Sequence, residues 1–160
     1  MKNKNGFTLA EMVAVIAILM VLALLSSPFV RGYIDDSYNG KAQIFLRQLN
    51  EARLNFERDY PGTTVSGDFK YEGLDGCNIE TIYGQTNLVI SPEVLVGCHY
   101  LQIPSDLEGR YNFAVGSTAS CSACTNPAVA SMIGSDESGR YKDKCACVDN
   151  IGVLYKEKVD

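Results

Sequence analysis

The six cysteines are the residues of this sequence with the most versatile chemistry. They stand at Cys77, Cys98, Cys121, Cys124, Cys145 and Cys147, so that the last four form a CxxC and a CxC. Such thiols can form structural disulfides, bind zinc or carry out thiol–disulfide exchange. The CxC spacing is tighter than zinc ligands usually have, and the CxxC lies in a loop-like stretch rather than at a helix start. We therefore expect structural disulfides, with zinc binding and redox exchange as alternatives.

The connectivity of the cysteines stays open at this stage, because six cysteines allow many pairings. Our working pairing joins Cys77 to Cys98 and cross-links the 121/124 pair to the 145/147 pair. Each such bond typically contributes about 2–4 kcal/mol to the stability of a small domain.

The other candidate residues give weaker signals. His99 is the single histidine, and Asp136, Glu137 and Asp143 form an acidic group that could bind calcium. A solvated loop around two glycines explains that acidic group more simply. The sequence contains no EF-hand, phosphate loop, GxSxG or HExxH. We therefore expect no catalytic residue, no metal site, no cofactor and no enzymatic activity.

The distribution of charge argues against binding to nucleic acids. The formal net charge is −5, and because residues 1–30 carry Lys2, Lys4 and Glu11, the remainder of the chain holds a net charge of −6. A general nucleic-acid surface needs Lys and Arg side chains that face phosphates. We expect no direct contact with nucleic acid.

The N-terminus contains a long apolar segment. Residues 7–30 include one charged side chain, Glu11, and follow Lys2 and Lys4. As a helix of about 36 Å they can cross a hydrocarbon core of about 30 Å, with the N-terminus in the cytoplasm. A secretory signal peptide cut near residues 26–28 and a plain anchor are the alternatives. Neither accounts for a carboxylate inside the apolar run, which is costly without a partner.

The stretch from Gly6 to Met12, GFTLAEM, resembles the type IV prepilin signature. This resemblance implies that a prepilin peptidase cuts between Gly6 and Phe7, removing residues 1–6, and that Phe7 is then N-methylated. Pro28 stands where many pilins have a helix-kinking proline. Ala10 is a mild departure from the common pattern before the glutamate.

The resemblance also implies a role for Glu11 in assembly. Its carboxylate would meet the new amine of Phe7 on a neighbouring subunit, since a carboxylate in an apolar bundle requires an opposite charge. By this reasoning the carboxylate is costly in an isolated subunit and satisfied in a filament.

The remaining pattern predicts an α+β fold, in which one long N-terminal helix packs on a small antiparallel sheet, as in pilins. The helix runs over roughly residues 8–58 and stops before Tyr60-Pro61-Gly62. Its first half spans the membrane, and residues 31–58 continue as an amphipathic helix. The apolar stripe of this second half has steps of three and four residues and consists of Ile34, Tyr38, Ala42, Phe45, Leu49, Ala52 and Phe56. Residues 59–160 form a globular domain with disulfides. Its predicted strands cover residues 110–115, 144–148 and 151–156, the last two joined by a turn at Asp149 and Asn150.

We therefore expect a structural subunit of a type IV pilus-like filament. Expected partners are the prepilin peptidase, other pilin subunits, and an assembly platform with its ATPase. The subunit would be a single-pass inner-membrane protein before assembly and part of a surface pilus or a periplasmic pseudopilus afterwards. The alternatives are a type II secretion pseudopilin and, in another class, a membrane-anchored periplasmic thiol oxidoreductase that uses Cys121 and Cys124.

Overall fold

The computed structural model of the chain describes residues 8–74, 76–124 and 126–158, apart from the side chains of residues 26–28. These residues form two compact units with their boundary between Ile34 and Asp35. Gly6 and Phe7, the predicted cleavage and methylation site, lie outside the described residues. The fold class is α+β, as predicted: a long helix packs on an antiparallel sheet.

Helix α1 (Leu9–Asp59) contributes its first part to the N-terminal unit. The large apolar side chains of residues 9–25 are between 47% and 83% exposed, because no other part of that unit covers them. Helix α1 is bent between Leu25 and Phe29. Among the described residues, no single straight helix is long and apolar enough to cross a membrane. The two parts of α1, Leu9–Leu25 and Phe29–Asp59, are long and apolar enough only when taken together across the bend. That bend includes residue 28, and its assignment to Pro28 stays a prediction.

The C-terminal unit contains the rest of α1, two short helices and two sheets. The short helices are α2 (Ile79–Ile82) and α3 (Val94–Gly97). A parallel pair joins β1 (Thr63–Val65) to β3 (Leu88–Ile90). The main sheet is antiparallel with the order β2-β4-β5-β6-β7, and its strands are β2 (Gly67–Phe69), β4 (Tyr111–Val115), β5 (Ala128–Gly134), β6 (Cys145–Asp149) and β7 (Leu154–Lys156). Turns of 3-10 helix cover Ser105–Leu107, Gly116–Thr118 and Asp136–Tyr141.

The core of this unit lies between α1 and the main sheet. The predicted apolar stripe of α1 is buried from Ala42 onward, whereas Ile34 remains 43% exposed. Phe45, at 1% exposure, packs edge-on against Phe69 and Phe113, with ring centroids 5.8 and 4.9 Å away. Such aromatic contacts add to the free energy gained from burying apolar area.

The main sheet differs from the sequence prediction in three places. The short edge strand β2 was not predicted. Strand β5 was not predicted either, although it occupies the centre of the sheet; its sequence AVASMIG has small residues and little β-branched or aromatic character. The last hairpin exists, but its final strand begins at Leu154 instead of Ile151. The predicted two-residue turn is wrong because the Asp149 side chain binds the backbone of the residues that follow it.

Candidate functional site

The N-terminal motif ends in a helix cap formed by Thr8 and Glu11. The Thr8 hydroxyl accepts a hydrogen bond from the Glu11 amide at 3.3 Å. The Glu11 carboxylate accepts from the Thr8 amide at 2.8 Å and from the Thr8 hydroxyl at 2.9 Å. This reciprocal arrangement is a capping box, which satisfies amides that have no partner inside the helix. Glu11 thus accepts hydrogen bonds within its own chain, and its pairing with the amine of Phe7 on a neighbouring subunit stays a prediction.

Replacing Thr8 by Val is expected to weaken the start of α1. The change removes both side-chain hydrogen bonds, and loss of such a cap costs about 1 kcal/mol. Amide hydrogen exchange of residues 9–12 in the detergent-solubilised full-length chain should become faster in Thr8→Val. Thr8→Ser keeps the hydroxyl and serves as the control. Equal exchange in Thr8→Val and the native chain would contradict the cap.

All six cysteines lie among the described residues and form three disulfides. Cys77 is joined to Cys98, with Cα atoms 4.7 Å apart. Cys121 is joined to Cys145 and Cys124 to Cys147, with Cα separations of 5.7 and 6.1 Å. This is the working pairing taken from the sequence. It assigns each cysteine of the CxxC to a different partner on β6.

The two neighbouring disulfides hold a loop against the outer face of the main sheet. Ala146 and Val148 belong to the core that contacts α1, so the alternation of β6 turns Cys145, Cys147 and Asp149 to the opposite face. All three are nevertheless buried. Residues 119–124, 126 and 127 supply the cover, and the Ser120 amide donates to the Ser131 hydroxyl on β5 at 3.1 Å. A disulfide-linked loop therefore covers the face of the main sheet that points away from α1.

This pairing disfavours the redox and zinc interpretations of the cysteines. A CxxC that exchanges disulfides needs its two sulfurs to share one reversible bond. Here Cys121 and Cys124 bond instead to two different cysteines of β6. A four-thiolate zinc site needs the same four sulfurs as free thiolates. The arrangement is that of a structural cross-link.

Asp149 is a fully buried carboxylate that organises the last hairpin. One of its oxygens accepts from the amides of Ile151 and Val153 at 3.1 and 2.8 Å. The other accepts from the Asn126 side chain at 2.9 Å. Burial raises the pKa of Asp149, but these hydrogen bonds outweigh it and hold the pKa below the ordinary value of 3.8. Asp149 therefore fixes the hairpin and ties it to the disulfide-linked loop.

The change Asp149→Asn should destabilise the C-terminal unit in a pH-dependent way. The lowered pKa means that the native carboxylate stabilises the fold above pH 3.8, and that this contribution disappears as the pH falls through the folded-state pKa. The difference in unfolding midpoint between the native chain and Asp149→Asn should be large at pH 6 and shrink below pH 3.8. Asp143→Asn, at an exposed site, is the control. A difference that does not vary with pH would contradict this role.

The predicted acidic group, Asp136, Glu137 and Asp143, lies on an exposed loop. Lys142 forms an ion pair with Asp136 at 2.6 Å and thereby lowers the pKa of that carboxyl. Within residues 8–74, 76–124 and 126–158, no group of three or more His, Cys, Asp or Glu is placed to hold a metal ion. His99 adopts a left-handed φ of 62° in the turn after α3.

Comparison with known families concerns the N-terminus. Residues 1–27 match the family described as the prokaryotic N-terminal methylation motif. The chain carries this motif. No curated protein and no solved structure matches the chain at a significant level.

The motif supports the recognition of a type IV pilin or pseudopilin N-terminus. Proteins with this motif are substrates of a prepilin peptidase, are anchored in the membrane by the segment that follows and assemble with other pilin subunits. The α+β architecture, with a long N-terminal helix on an antiparallel sheet, is consistent with a pilin-like fold.

Proposed function

We propose that the protein is a structural subunit of a type IV pilus-like filament. The observation that carries the proposal is the methylation motif at residues 1–27, within which the long helix α1 begins at Leu9. A prepilin peptidase would remove residues 1–6, and Phe7 would become the N-methylated N-terminus. Residues 7–30 would hold the subunit in the inner membrane, with the leader in the cytoplasm, until assembly.

In the filament, the Glu11 carboxylate would gain a second, positively charged partner. Before assembly its carboxylate accepts two hydrogen bonds from Thr8. On assembly the carboxylate would also meet the positively charged amine of Phe7 on a neighbouring subunit, and a charge-assisted hydrogen bond is stronger than a neutral one. The assembly platform and its cytoplasmic ATPase would supply the work of extracting subunits from the membrane.

A surface pilus fits the C-terminal unit better than a type II secretion pseudopilus. The two disulfides between the 121–124 loop and β6 stabilise the end of the chain covalently. A pseudopilin that depends on calcium would instead gain thermal stability when calcium is added. Thermal unfolding of the full-length protein with calcium and with EDTA therefore separates the two assignments, and a raised midpoint in calcium favours the pseudopilin.

The intact mass and N-terminal residue of the protein extracted from its native membrane test the proposal directly. We expect a chain that begins at N-methylated Phe7 and whose mass corresponds to six oxidised cysteines. A chain that begins near Ser27 would identify an exported soluble protein. A chain that still begins at Met1 in a host with an active peptidase would identify a plain anchor, and either result would overturn the proposal.

A further inference from the structure

One flank of α1 in the C-terminal unit is lined by basic side chains. A groove of about 450 Å³ runs between Asn39 and Gln43 of the helix and the end of the chain. Four of the five charged residues that line it are cations, and we call these four the basic flank: Arg140, Lys144, Lys156 and Lys158. This concentration stands out in a chain whose net charge is −5.

The cations of the basic flank are only partly neutralised. Arg140 forms an ion pair with Asp36. The one carboxylate in the groove, Glu157, accepts hydrogen bonds from the Ser122 hydroxyl and from the Cys145 amide at 3.1 Å. Within the described part of the chain, the three lysines of the flank form no ion pair. Together with the hydrogen bonds from Ser122 and Cys145, the nearby charge of Lys144 lowers the pKa of Glu157. One carboxylate cannot neutralise three lysines, so positive charge remains available to an external partner.

The opposite flank of α1 is acidic. Lys41 lies two residues from both Asn39 and Gln43, which is about 200° around the helix, and it bonds to Asp106 at 2.6 Å. A second groove of about 520 Å³ lies along the same side and includes Glu51. We call the exposed carboxylates Glu51, Asp106 and Glu108 the acidic flank. Lys41 neutralises Asp106, whereas among the described residues Glu51 and Glu108 form no ion pair.

The far wall of this second groove is formed by Tyr100 to Pro104. In the sequence these residues belong to an acidic stretch, residues 67–108, which contains seven carboxylates and a single cation, Lys70. The two flanks therefore differ in sign and lie on opposite sides of one helix. A molecule with this arrangement is complementary to a second copy of itself placed beside it.

We propose that the basic flank of one copy of this chain packs against the acidic flank of the next copy in the filament. The contact joins two different surfaces, so each bound copy still presents a free flank to another copy. Contacts of this heterologous kind produce open helical assemblies rather than closed dimers. The inference rests on the proposed function and identifies the surface through which neighbouring subunits recognise each other.

Two charge-reversal variants of the full-length chain test this contact in the native host. Lys144→Glu/Lys156→Glu has two acidic flanks, whereas Glu51→Lys/Glu108→Lys has two basic ones. Because like charges then face each other, each variant alone should yield at least about tenfold fewer filaments than the native chain. When both variants are produced together, unlike flanks are available again, and filaments that contain both variants in similar amounts should return.

The control is Lys142→Glu/Lys70→Glu, which makes the same change in net charge outside the basic flank and should assemble like the native chain. Native-like urea unfolding and oxidised cysteines establish that each variant is folded. Folded variants that assemble alone at native levels, or that fail to assemble together, overturn the flank contact while leaving the proposed function intact. A native chain that retains residues 1–6 overturns the proposed function, and the flank contact with it.

Discussion

Removing both disulfides between the 121–124 loop and β6 is expected to unfold most of the C-terminal unit at 37 °C. Cys121–Cys145 and Cys124–Cys147 span 24 and 23 residues of sequence. In the chain-entropy description, the first bond across such a loop contributes roughly 3 kcal/mol, and the second, which closes only a ring of a few residues, roughly 2 kcal/mol. The combined loss of roughly 5 kcal/mol approaches the whole stability of a small domain.

The overlapping loops of these two disulfides predict unequal effects for disulfides of similar loop length. Cys124→Ala/Cys147→Ala should cost roughly 2 kcal/mol, because Cys121–Cys145 still closes the same loop. The matched control is Cys77→Ala/Cys98→Ala, which opens an independent loop of 21 residues and should cost roughly 3 kcal/mol.

Urea unfolding of the full-length protein in detergent measures all of these differences. A Cys77–Cys98 deletion that costs no more than the Cys124–Cys147 deletion would contradict the overlapping-loop argument. So would a four-alanine variant that is as stable as either two-alanine variant.

Helix α1 could be predicted from the sequence because its signal is local. Apolar spacing at three and four residues and a Tyr60-Pro61-Gly62 stop predicted a helix that ends near residue 58, and α1 ends at Asp59. For the cysteines the sequence offered only a working choice that joins the CxxC to the CxC. It left open which cysteine bonds to which, and the structure decides this.

Strand β5 could not be predicted because its position depends on its neighbours. Ala130 and Ser131 give no strand signal of their own, and their burial comes from β4, β6 and the covering loop. Sheet preference reflects packing more than it reflects the backbone of the residue itself. The centre of a sheet can therefore be the part with the weakest sequence signal.

The role of Asp149 was missed for a related reason. The dipeptide Asp149-Asn150 is a turn signal, and from the sequence alone it predicts the two-residue turn of a hairpin. In the structure the side chain is fully buried, since Asn126, which lies 23 residues earlier, donates to it. Long-range hydrogen bonds of this kind leave no periodic trace in the sequence. The Thr8–Glu11 cap, in contrast, follows a recognisable T-x-x-E pattern and could have been predicted.

Phe45→Ala is the single substitution with the largest expected effect on stability. The side chain is 1% exposed and lies between α1 and the sheet, in edge-on contact with Phe69 and Phe113. Truncation removes the ring and leaves a cavity that the disulfide-linked sheet has little freedom to close. Substitutions of this type cost about 3–5 kcal/mol. The urea midpoint of the full-length chain should therefore fall strongly while the slope of the transition stays constant.

Ile44→Ala is the matched control, because Ile44 is adjacent on the same helix and 60% exposed. Both changes replace a large apolar residue by the same small one, so helix propensity and unfolded-chain effects are similar. The control should change the free energy of unfolding by no more than about 0.5 kcal/mol. If Ile44→Ala were as destabilising as Phe45→Ala, the face of α1 that packs on the sheet would be wrongly assigned. If Phe45→Ala reduced filament yield at full stability, Phe45 would have to face a neighbouring subunit instead of the core.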